Sequence, residues 1–499
     1  MAQTTKFHLF STRLIMALLL TMLGGTQAYS QTDMTSYLTN PSFENDWTGW
    51  THKDMGLQGN DAFTIKSGNV YVEKWTGAGG AVGSGSVKQV LTGLTPGNYQ
   101  LTAVAQNIQQ ESATDLQTGA YIFAGDNRTT VTLPNTYTVA FTYISGKITI
   151  GFEAVSASGN YICVDDFHLT LIDQNLTNEL NSAIAEAQTL YGDGSGNQSA
   201  QLLAAIEAAQ AVANNGTPTG DEQAQAIIAL QDATDIYLRA NATEENPLDL
   251  TSLIDNPSFE VDGLTGWTSQ NLGTQGNDAF DIKDGSIYLE KWTGSGNAVG
   301  DAKVYQTLTN MKPGRYILKA VAQNIQQDTP TKSQTGASIY ANTHQVTVTI
   351  RQEYTLDFVL ISEQLELGFK AESATGNWLA VDNFRLLYVS DDFETIKSEF
   401  WALIQNAKAI AKKKTNTVAH NDLQAAIDVA DALKNQTNTE GWPAAAHNLE
   451  TTYQTAYASY VIFNQLSKAI TKANTEIAGS TSSAAEAYQA AIEDRKSVV

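Results

Sequence analysis

Two nine-residue segments, NVYVEKWTG at 69–77 and SIYLEKWTG at 286–294, carry a tyrosine, a glutamate and a tryptophan at alternate positions. Alternate residues of a β-strand share one face. An aromatic ring can stack on the apolar face of a sugar ring, while a carboxylate accepts hydrogen bonds from its hydroxyls. The spacing therefore predicts carbohydrate contact on the outer face of a sheet by Tyr71, Glu73, Trp75, Tyr288, Glu290 and Trp292.

A second repeated segment, AVAQNIQQ, occurs at 103–110 and 320–327. Its apolar residues at alternate positions suit a core, and its amides offer donors and acceptors without charge. We therefore expect further carbohydrate contacts from Gln106, Asn107, Gln110, Gln323, Asn324 and Gln327. The alternative is that the chain's own loops cover this face and that the tryptophans only pack, and a strand shifted by one residue would exchange inside for outside.

These segments belong to a duplicated domain, because NPSFE, QGNDAF and QTGA also occur twice and Trp75 and Trp292 stand 217 positions apart. Within each copy, apolar and polar residues alternate with period two, and Gly, Pro, Asn and Asp separate the runs. Many short strands without interleaved helices predict a β-sandwich or jelly roll.

Elsewhere the apolar residues recur with helical spacing. Helices are expected near 176–191, 202–213 and 222–237, the last after the capping-box segment TGDE at 219–222, and again at 393–413, 420–435 and 442–461. A further set begins near Leu466 and stops after two helices, as expected of a fragment of something longer.

The resulting fold class is multidomain, with two all-β jelly-roll sandwiches alternating with all-α three-helix bundles. The predicted domains are a signal peptide (1–30), a sandwich (31–172), a bundle (173–246), a second sandwich (247–389), a second bundle (390–463) and an incomplete helical bundle (464–499).

The composition and net charge exclude some classes of function. A net charge of −23 argues against nucleic-acid binding, which needs a concentrated basic patch.

Lys6 and Arg13 precede the apolar run 14–23, which has the length of a signal-peptide core and is too short to span a bilayer comfortably. No later segment resembles a transmembrane helix. Cys163 is the single cysteine, so the chain cannot form an internal disulfide bond. An exported protein without disulfide bonds is typical of bacteria, and we therefore expect an exported bacterial protein.

The motifs LTNPSFE, GWT, EKW, LTPGNYQL and VDDF together resemble the galactose-binding-like β-sandwich of bacterial carbohydrate-binding modules, over 36–172 and 252–389. The helical segments resemble, more loosely, the three-helix FIVAR-type repeats that separate such modules. The resemblance implies one structural calcium ion per sandwich, with candidate ligands Glu44, Asp165 and Asp166 in copy one and Glu260 and Asp382 in copy two. Asn383 replaces Asp166 in copy two, which would remove one charge. Alternatively, these acids only accept backbone hydrogen bonds at strand ends.

Catalysis has little support in the sequence. Glycoside hydrolysis normally uses two carboxylates about 5–10 Å apart, and no spacing here demands such a pair. The motifs HExxH, GxSxG, CxxC and a Walker loop are absent. We therefore expect a non-catalytic tandem carbohydrate-binding protein, the front part of a polysaccharide-degrading enzyme. A structural spacer or adhesin with a protein partner is the alternative, and a glycosidase or lyase within this chain is the third hypothesis.

Overall fold

The computed structural model describes residues 31–261, 263–478 and 485–490. The predicted signal peptide at 1–30 lies outside these residues. The chain divides into two compact units, Met1–Asn241 and Ala242–Val499. Within the described residues, each unit contains two antiparallel sheets followed by helices.

Eleven strands build the sandwich of the first unit. They are β1 (Thr32–Asp33), β2 (Thr51–Lys53), β3 (Gly56–Gln58), β4 (Tyr71–Trp75), β5 (Gly83–Thr92), β6 (Gly97–Ile108), β7 (Ala120–Ala124), β8 (Asn127–Thr130), β9 (Asn135–Tyr143), β10 (Lys147–Ala157) and β11 (Tyr161–Asp173). Sheet 1A has the order β3-β4-β11-β6-β9, with β1 added beside β11, and sheet 1B has the order β2-β5-β10-β7-β8. The chain passes repeatedly between the two sheets, as in jelly rolls.

The second unit repeats this arrangement. Its strands are β12 (Leu248–Asp249), β13 (Thr268–Gln270), β14 (Gly273–Gln275), β15 (Tyr288–Trp292), β16 (Gly300–Leu308), β17 (Gly314–Ile325), β18 (Ala337–Ala341), β19 (His344–Val348), β20 (Gln352–Leu360), β21 (Leu365–Ala374) and β22 (Trp378–Ser390). Sheet 2A follows the order β14-β15-β22-β17-β20, with β12 beside β22, and sheet 2B follows β13-β16-β21-β18-β19.

Period-two alternation places the core between the sheets. In sheet 1A, Val72, Leu101 and Ala103 are fully buried against residues of sheet 1B such as Phe152. Burying one such aliphatic or aromatic side chain contributes about 1.5–3 kcal/mol. In β4 and β6, the residues that were expected to face the core therefore do so.

The motifs that carried the family resemblance meet in one aromatic cluster. Phe43 of NPSFE packs on Trp50 of the Gly-Trp motif with ring centroids 5.0 Å apart, and Trp50 packs on Phe167 of VDDF at 4.9 Å. The Trp50 indole also donates to the Asn40 carbonyl at 3.0 Å. These motifs thus join the amino-terminal segment to the last strand of the sandwich, and their role is to stabilise the fold.

Three helices follow the first sandwich: α1 (Thr177–Tyr191), α2 (Ser199–Ala213) and α3 (Gly220–Ala240). Their apolar faces form a common core that includes Leu180, Ile206 and Ile227. The predicted capping box is present, because the Thr219 side chain accepts from the Glu222 N–H while the Glu222 carboxylate accepts from the Thr219 N–H.

The second sandwich is followed by α4 (Phe393–Ala411), α5 (Thr417–Leu433) and α6 (Trp442–Glu476), and the described residues 485–490 are also helical. Trp442 is fully buried and stacks on Phe400 at 4.8 Å. The expected break between a helix at 442–461 and another near Leu466 is wrong, since α6 continues through this point to Glu476. The segment 462–476 contains neither proline nor glycine, so nothing in it interrupts the helix.

Candidate ligand-binding face

Trp75 and Trp292 lie at the ends of β4 and β15, on the outer faces of sheets 1A and 2A. Their side chains are 65% and 63% exposed, which is unusual for so large an apolar residue. Both strands pair with the last strand of their sheet, so that Trp75 is opposite Tyr161 and Trp292 is opposite Trp378. Both indoles therefore point away from the core, as the alternation predicts.

The rest of the stripe in the first sandwich is covered by the chain itself. Tyr71 is fully buried and Glu73 is nearly so. The Tyr71 hydroxyl lies within hydrogen-bond distance of Asn60 Oδ1 (2.8 Å), Glu73 Oε2 (3.1 Å) and the Tyr161 hydroxyl (2.9 Å). A small outer cluster that includes Phe63, Ile65 and Leu133 packs over this face. Tyr71 and Glu73 are thus not open to a ligand, in contrast to their expected exposure.

The second sandwich covers the same positions with a different network. Tyr288 is fully buried, and its hydroxyl donates to Asn277 Oδ1 at 2.9 Å. The Glu290 carboxylate accepts from Trp378 Nε1 at 2.8 Å and from Gln275 Nε2 at 3.0 Å. Trp378 stands where copy one has Tyr161. The expected exposure of Tyr288 therefore needs the same correction, and Glu290 serves mainly as a hydrogen-bond acceptor inside the protein.

Gln106 and Gln323 point outward as expected, but both are buried. Gln106 Nε2 donates to the Cys163 sulfur at 3.4 Å. Gln323 Oε1 accepts from Arg351 Nε at 2.7 Å, and the guanidinium also pairs with Asp281 at 2.6 Å. Neither amide offers free groups on an open face.

Asn107 and Asn324 do not lie on the outer surface at all. Both are fully buried, and their amide groups donate to the carbonyls of Thr118 and Thr335 at 3.0 Å. They hold the loop that follows β6 or β17, and they continue the inward phase of the preceding alanines, so they are not available for the expected carbohydrate contacts. In contrast, Gln110 and Gln327 are exposed.

A polar rim surrounds the sheet end that carries each tryptophan. Thr76, which follows Trp75, donates its N–H to the Asn160 carbonyl at 2.9 Å. Asn160 Oδ1 accepts from the Gln110 N–H at 2.8 Å, and Asn160 Nδ2 donates to Glu111. In copy two, Asn377 Nδ2 donates to Gln327 Oε1 at 3.1 Å. Asn160 and Asn377 are fully buried, so the exposed amide side chains of these two loops are Gln110 and Gln327.

Burial changes the acidity of the covered network. Desolvation raises the pKa of Tyr71 to about 12, and it raises the pKa of Tyr161 further. It also raises the pKa of the Cys163 thiol, which is therefore protonated and unreactive. The expectation of Cys163 as a buried residue agrees with its position.

The outer face of sheet 1B carries a group of side chains that was not among the residues expected from the sequence. Arg128 Nε pairs with Glu153 Oε1 at 3.1 Å, and the guanidinium carbon lies 5.8 Å from the centre of the Tyr121 ring. A charged residue between apolar neighbours in GFEAV could have indicated Glu153. The matching positions of copy two hold Ser338, Gln345 and Lys370.

The candidate calcium ligands of copy one hold the turn at 67–70. Glu44 Oε1 accepts the N–H groups of Asn69 and Val70, both at 2.7 Å, and Asp165 Oδ2 accepts from the Ser67 N–H at 2.7 Å. Asp165 Oδ1 is buried without a hydrogen-bond partner, and burial raises the pKa of this carboxyl to about 7. An unsatisfied carboxylate oxygen fits a hard cation. Asp166 fits less well, since it pairs with His168 at 3.2 Å.

Copy two has the same arrangement with one more acid. Glu260 Oε1 accepts from Ser286 and Ile287, and Asp382 Oδ2 accepts from the Asp284 N–H at 2.7 Å. Asp382 Oδ1 again lacks a hydrogen-bond partner. Asp284 replaces Ser67 of copy one and raises the pKa of Asp382 electrostatically, after the larger effect of burial. Asp284 was not among the ligands expected from the sequence, where the exchange at Asn383 was the only difference between the two sites.

Among the described residues, no group of three or more histidine, cysteine or acidic side chains is arranged to hold a metal ion. No helix in the described ranges combines the length and the apolar character needed to cross a bilayer.

No protein-family model and no curated protein matches this chain. Among solved structures, a CBM61 module in complex with β-1,4-galactotriose is 18% identical, with 27% of this chain and 96% of that chain covered and a TM-score of 0.21. The tandem CBM22-1–CBM22-2 domain of Xyn10C from Paenibacillus barcinonensis is 11% identical, with 73% and 100% covered and a TM-score of 0.22. A cyclase from Fischerella sp. TAU is 16% identical, with 28% and 97% covered and a TM-score of 0.23. These scores are too low to support an inference about function.

Proposed function

We propose that this chain is an exported bacterial, non-catalytic carbohydrate-binding protein whose two sandwiches bind a neutral polysaccharide through Trp75 and Trp292. The observation that carries the proposal is the exposure of both indoles, 65% and 63%, at the same position of the two copies. The remaining stripe residues lie along the same strands, where they are covered by or bonded to other parts of the chain. Neutral glycan is favoured because a chain with net charge −23 would repel a polyanion.

Two modules on one chain can bind a polymer together. Linking the sites makes the second binding event intramolecular, so two weak contacts can give useful avidity. Gln110 and Gln327 are the exposed amides of the predicted set and are proposed to bind hydroxyl groups beside the indoles.

Affinity electrophoresis of the full chain in gels containing soluble galactan, xylan, glucan or mannan tests this proposal. We expect retardation by at least one polysaccharide, partial loss in either single variant, Trp75→Ala or Trp292→Ala, and complete loss in the double variant. Trp401→Ala is the matched control, because Trp401 is a 44% exposed tryptophan on α4. Retardation by no polysaccharide, or equal retardation of the double variant, would contradict the proposal.

We also propose one calcium ion in each sandwich, held by Glu44 and Asp165 in the first and by Glu260 and Asp382 in the second, together with backbone carbonyl groups or water, because these pairs alone offer fewer than three acidic side chains. When bound, the ion would neutralise buried carboxylates and fix the turns that these carboxylates already hold. This role is structural.

A structural spacer or adhesin is the second candidate function. The observation that favours it is the cover over Tyr71, Glu73 and Gln106, because no open groove runs along this part of sheet 1A. If it is correct, the full chain shows no retardation by any polysaccharide and binds a protein partner.

A further inference from the structure

We propose that the second unit carries another oligosaccharide site, a cleft between the outer face of sheet 2B and helix α6. This site is separate from Trp292, and it goes beyond the function proposed above because the helical bundle supplies one wall. The bundle would then be a binding element as well as a spacer.

The cleft has the size of a ligand site. Its volume is about 990 Å³, and pockets for small ligands typically enclose about 300–1,000 Å³. Strands β16, β18 and β21 form one wall and α6 forms the other. The lining residues that matter here are Lys303, Tyr340, Glu366, Lys370, Tyr453 and Tyr457.

Contacts at the edge of the cleft fix the distance between its walls. His344 Nε2 lies 3.3 Å from Glu399 Oε1 of α4, and Asn342 Nδ2 donates to Glu450 Oε2 of α6 at 3.4 Å. Ile361, which follows β20, is buried in the core of the helical bundle. A cleft held by such contacts is preformed, which lowers the entropic cost of binding.

The wall formed by sheet 2B is polar and its charges are paired. Lys303 Nζ lies 2.9 Å from Glu366 Oε1, and the Tyr340 hydroxyl donates to the same oxygen at 2.8 Å. Lys370 Nζ lies 5.4 Å from the centre of the Tyr340 ring. This wall presents both donors and acceptors without an excess of positive charge, which suits a neutral polyol better than a polyanion.

Helix α6 contributes an aromatic surface to the opposite wall. Tyr453 and Tyr457 are one turn apart, with nearly parallel rings whose centroids are separated by 6.0 Å. Tyr457 is 44% exposed and lies on the cleft side of the helix. The exposed ring can stack on the apolar face of a sugar ring, while the polar wall opposite can form hydrogen bonds with the sugar's hydroxyl groups.

Copy one lacks the side chains that make this site. The positions of Lys303, Tyr340, Glu366 and Lys370 hold Ser86, Phe123, Thr149 and Glu153. The two units would therefore differ in the sugars that they recognise.

Calorimetric titration of the full chain tests this site on a Trp75→Ala/Trp292→Ala background. The probes are neutral glucan, galactan, xylan and mannan oligosaccharides at millimolar concentration. We expect at least one to bind and Tyr457→Ala to weaken its binding at least tenfold, about 1.4 kcal/mol. Gln454→Trp, which places a bulky ring in the cleft, should do the same. Ile462→Ala, at a 63% exposed position of α6 outside the cleft lining, should have no effect.

The outcomes separate the two proposals. Binding by the background that is lost in the two cleft variants supports the site, even if removal of Trp75 and Trp292 changes nothing in polysaccharide gels. The site is refuted if no probe binds to the background, or if Tyr457→Ala and Gln454→Trp behave like Ile462→Ala. Circular dichroism melting of each variant verifies that α6 remains folded.

Discussion

The indole nitrogen of Trp378 donates a 2.8 Å hydrogen bond to the Glu290 carboxylate, and Trp378 is the cross-strand neighbour of the exposed Trp292. In copy one, Tyr161 occupies the position of Trp378 and bonds to the Tyr71 hydroxyl instead. The residue opposite the exposed tryptophan therefore forms a bond to a carboxylate in the second sandwich and to a tyrosine hydroxyl in the first.

Trp378→Phe should destabilise the second sandwich by about 1–3 kcal/mol, because the half-buried Glu290 carboxylate loses one of its hydrogen-bond donors. Scanning calorimetry of the full chain measures the effect, and one of its transitions should shift. Tyr161→Phe is the matched change in copy one, where Tyr71 keeps Asn60 as a partner, and we expect a smaller loss. Equal losses in both variants would show that the carboxylate bond contributes little.

The sequence allowed the duplication, the strand phase and the outward direction of Trp75 and Trp292 to be predicted, because alternation reports which side of a sheet a residue occupies. It did not reveal that the segment containing Phe63 and Ile65 folds back over Tyr71. Alternation within a strand carries no information about a distant loop. Asn107 differs from Tyr71, because it continues the inward phase of Ala103 and Ala105, and its amide holds the Thr118 carbonyl of a loop eleven residues away.

Calcium should stabilise both sandwiches in a manner that depends on pH. Burial raises the pKa of Asp165 and of Asp382 to about 7 from an ordinary value of 3.8. Between these values the folded state binds more protons than the unfolded state, so the metal-free protein loses stability as pH rises from about 4 to 7. A bound cation favours the charged carboxylates and should remove this loss.

Thermal unfolding at pH 5 and pH 7.5, with calcium or with chelator, measures this effect. We expect calcium to raise the unfolding temperature by several degrees at pH 7.5 and less at pH 5. Asp165→Asn with Asp382→Asn should abolish the response to calcium and flatten the pH dependence in chelator. If calcium does not change the unfolding temperature at either pH, the proposed calcium sites are wrong, and these acids only accept backbone hydrogen bonds at strand ends.

Gly151 and Gly368 occupy equivalent central positions in β10 and β21, where another backbone approaches closely. A Cβ at Gly151 would lie 2.1 Å from the Val87 carbonyl oxygen, and one at Gly368 would lie 2.0 Å from that of Val304. Backbone in the middle of a sheet cannot move aside cheaply. Gly151→Ala and Gly368→Ala should therefore each destabilise their own sandwich by several kcal/mol, which calorimetry detects as the loss of one transition. Gly146→Ala is the control, since nothing lies within 4 Å of its Cβ position; its positive φ makes a small cost of about 1 kcal/mol expected there.

The capping box of α3 provides a test confined to the first helical bundle. Thr219→Ala removes the acceptor for the Glu222 N–H and leaves the Glu222 carboxylate without the hydroxyl at 3.0 Å. Caps of this kind contribute about 0.5–2 kcal/mol, so the bundle should lose that amount. Hydrogen exchange at the first turn of α3 measures the change, and Thr219→Ser should restore protection because its hydroxyl can accept the same bond. If exchange in that turn stays as slow in Thr219→Ala as in the unaltered chain, then packing of Ala224 and Ile227 into the bundle core, rather than the cap, determines where this helix begins.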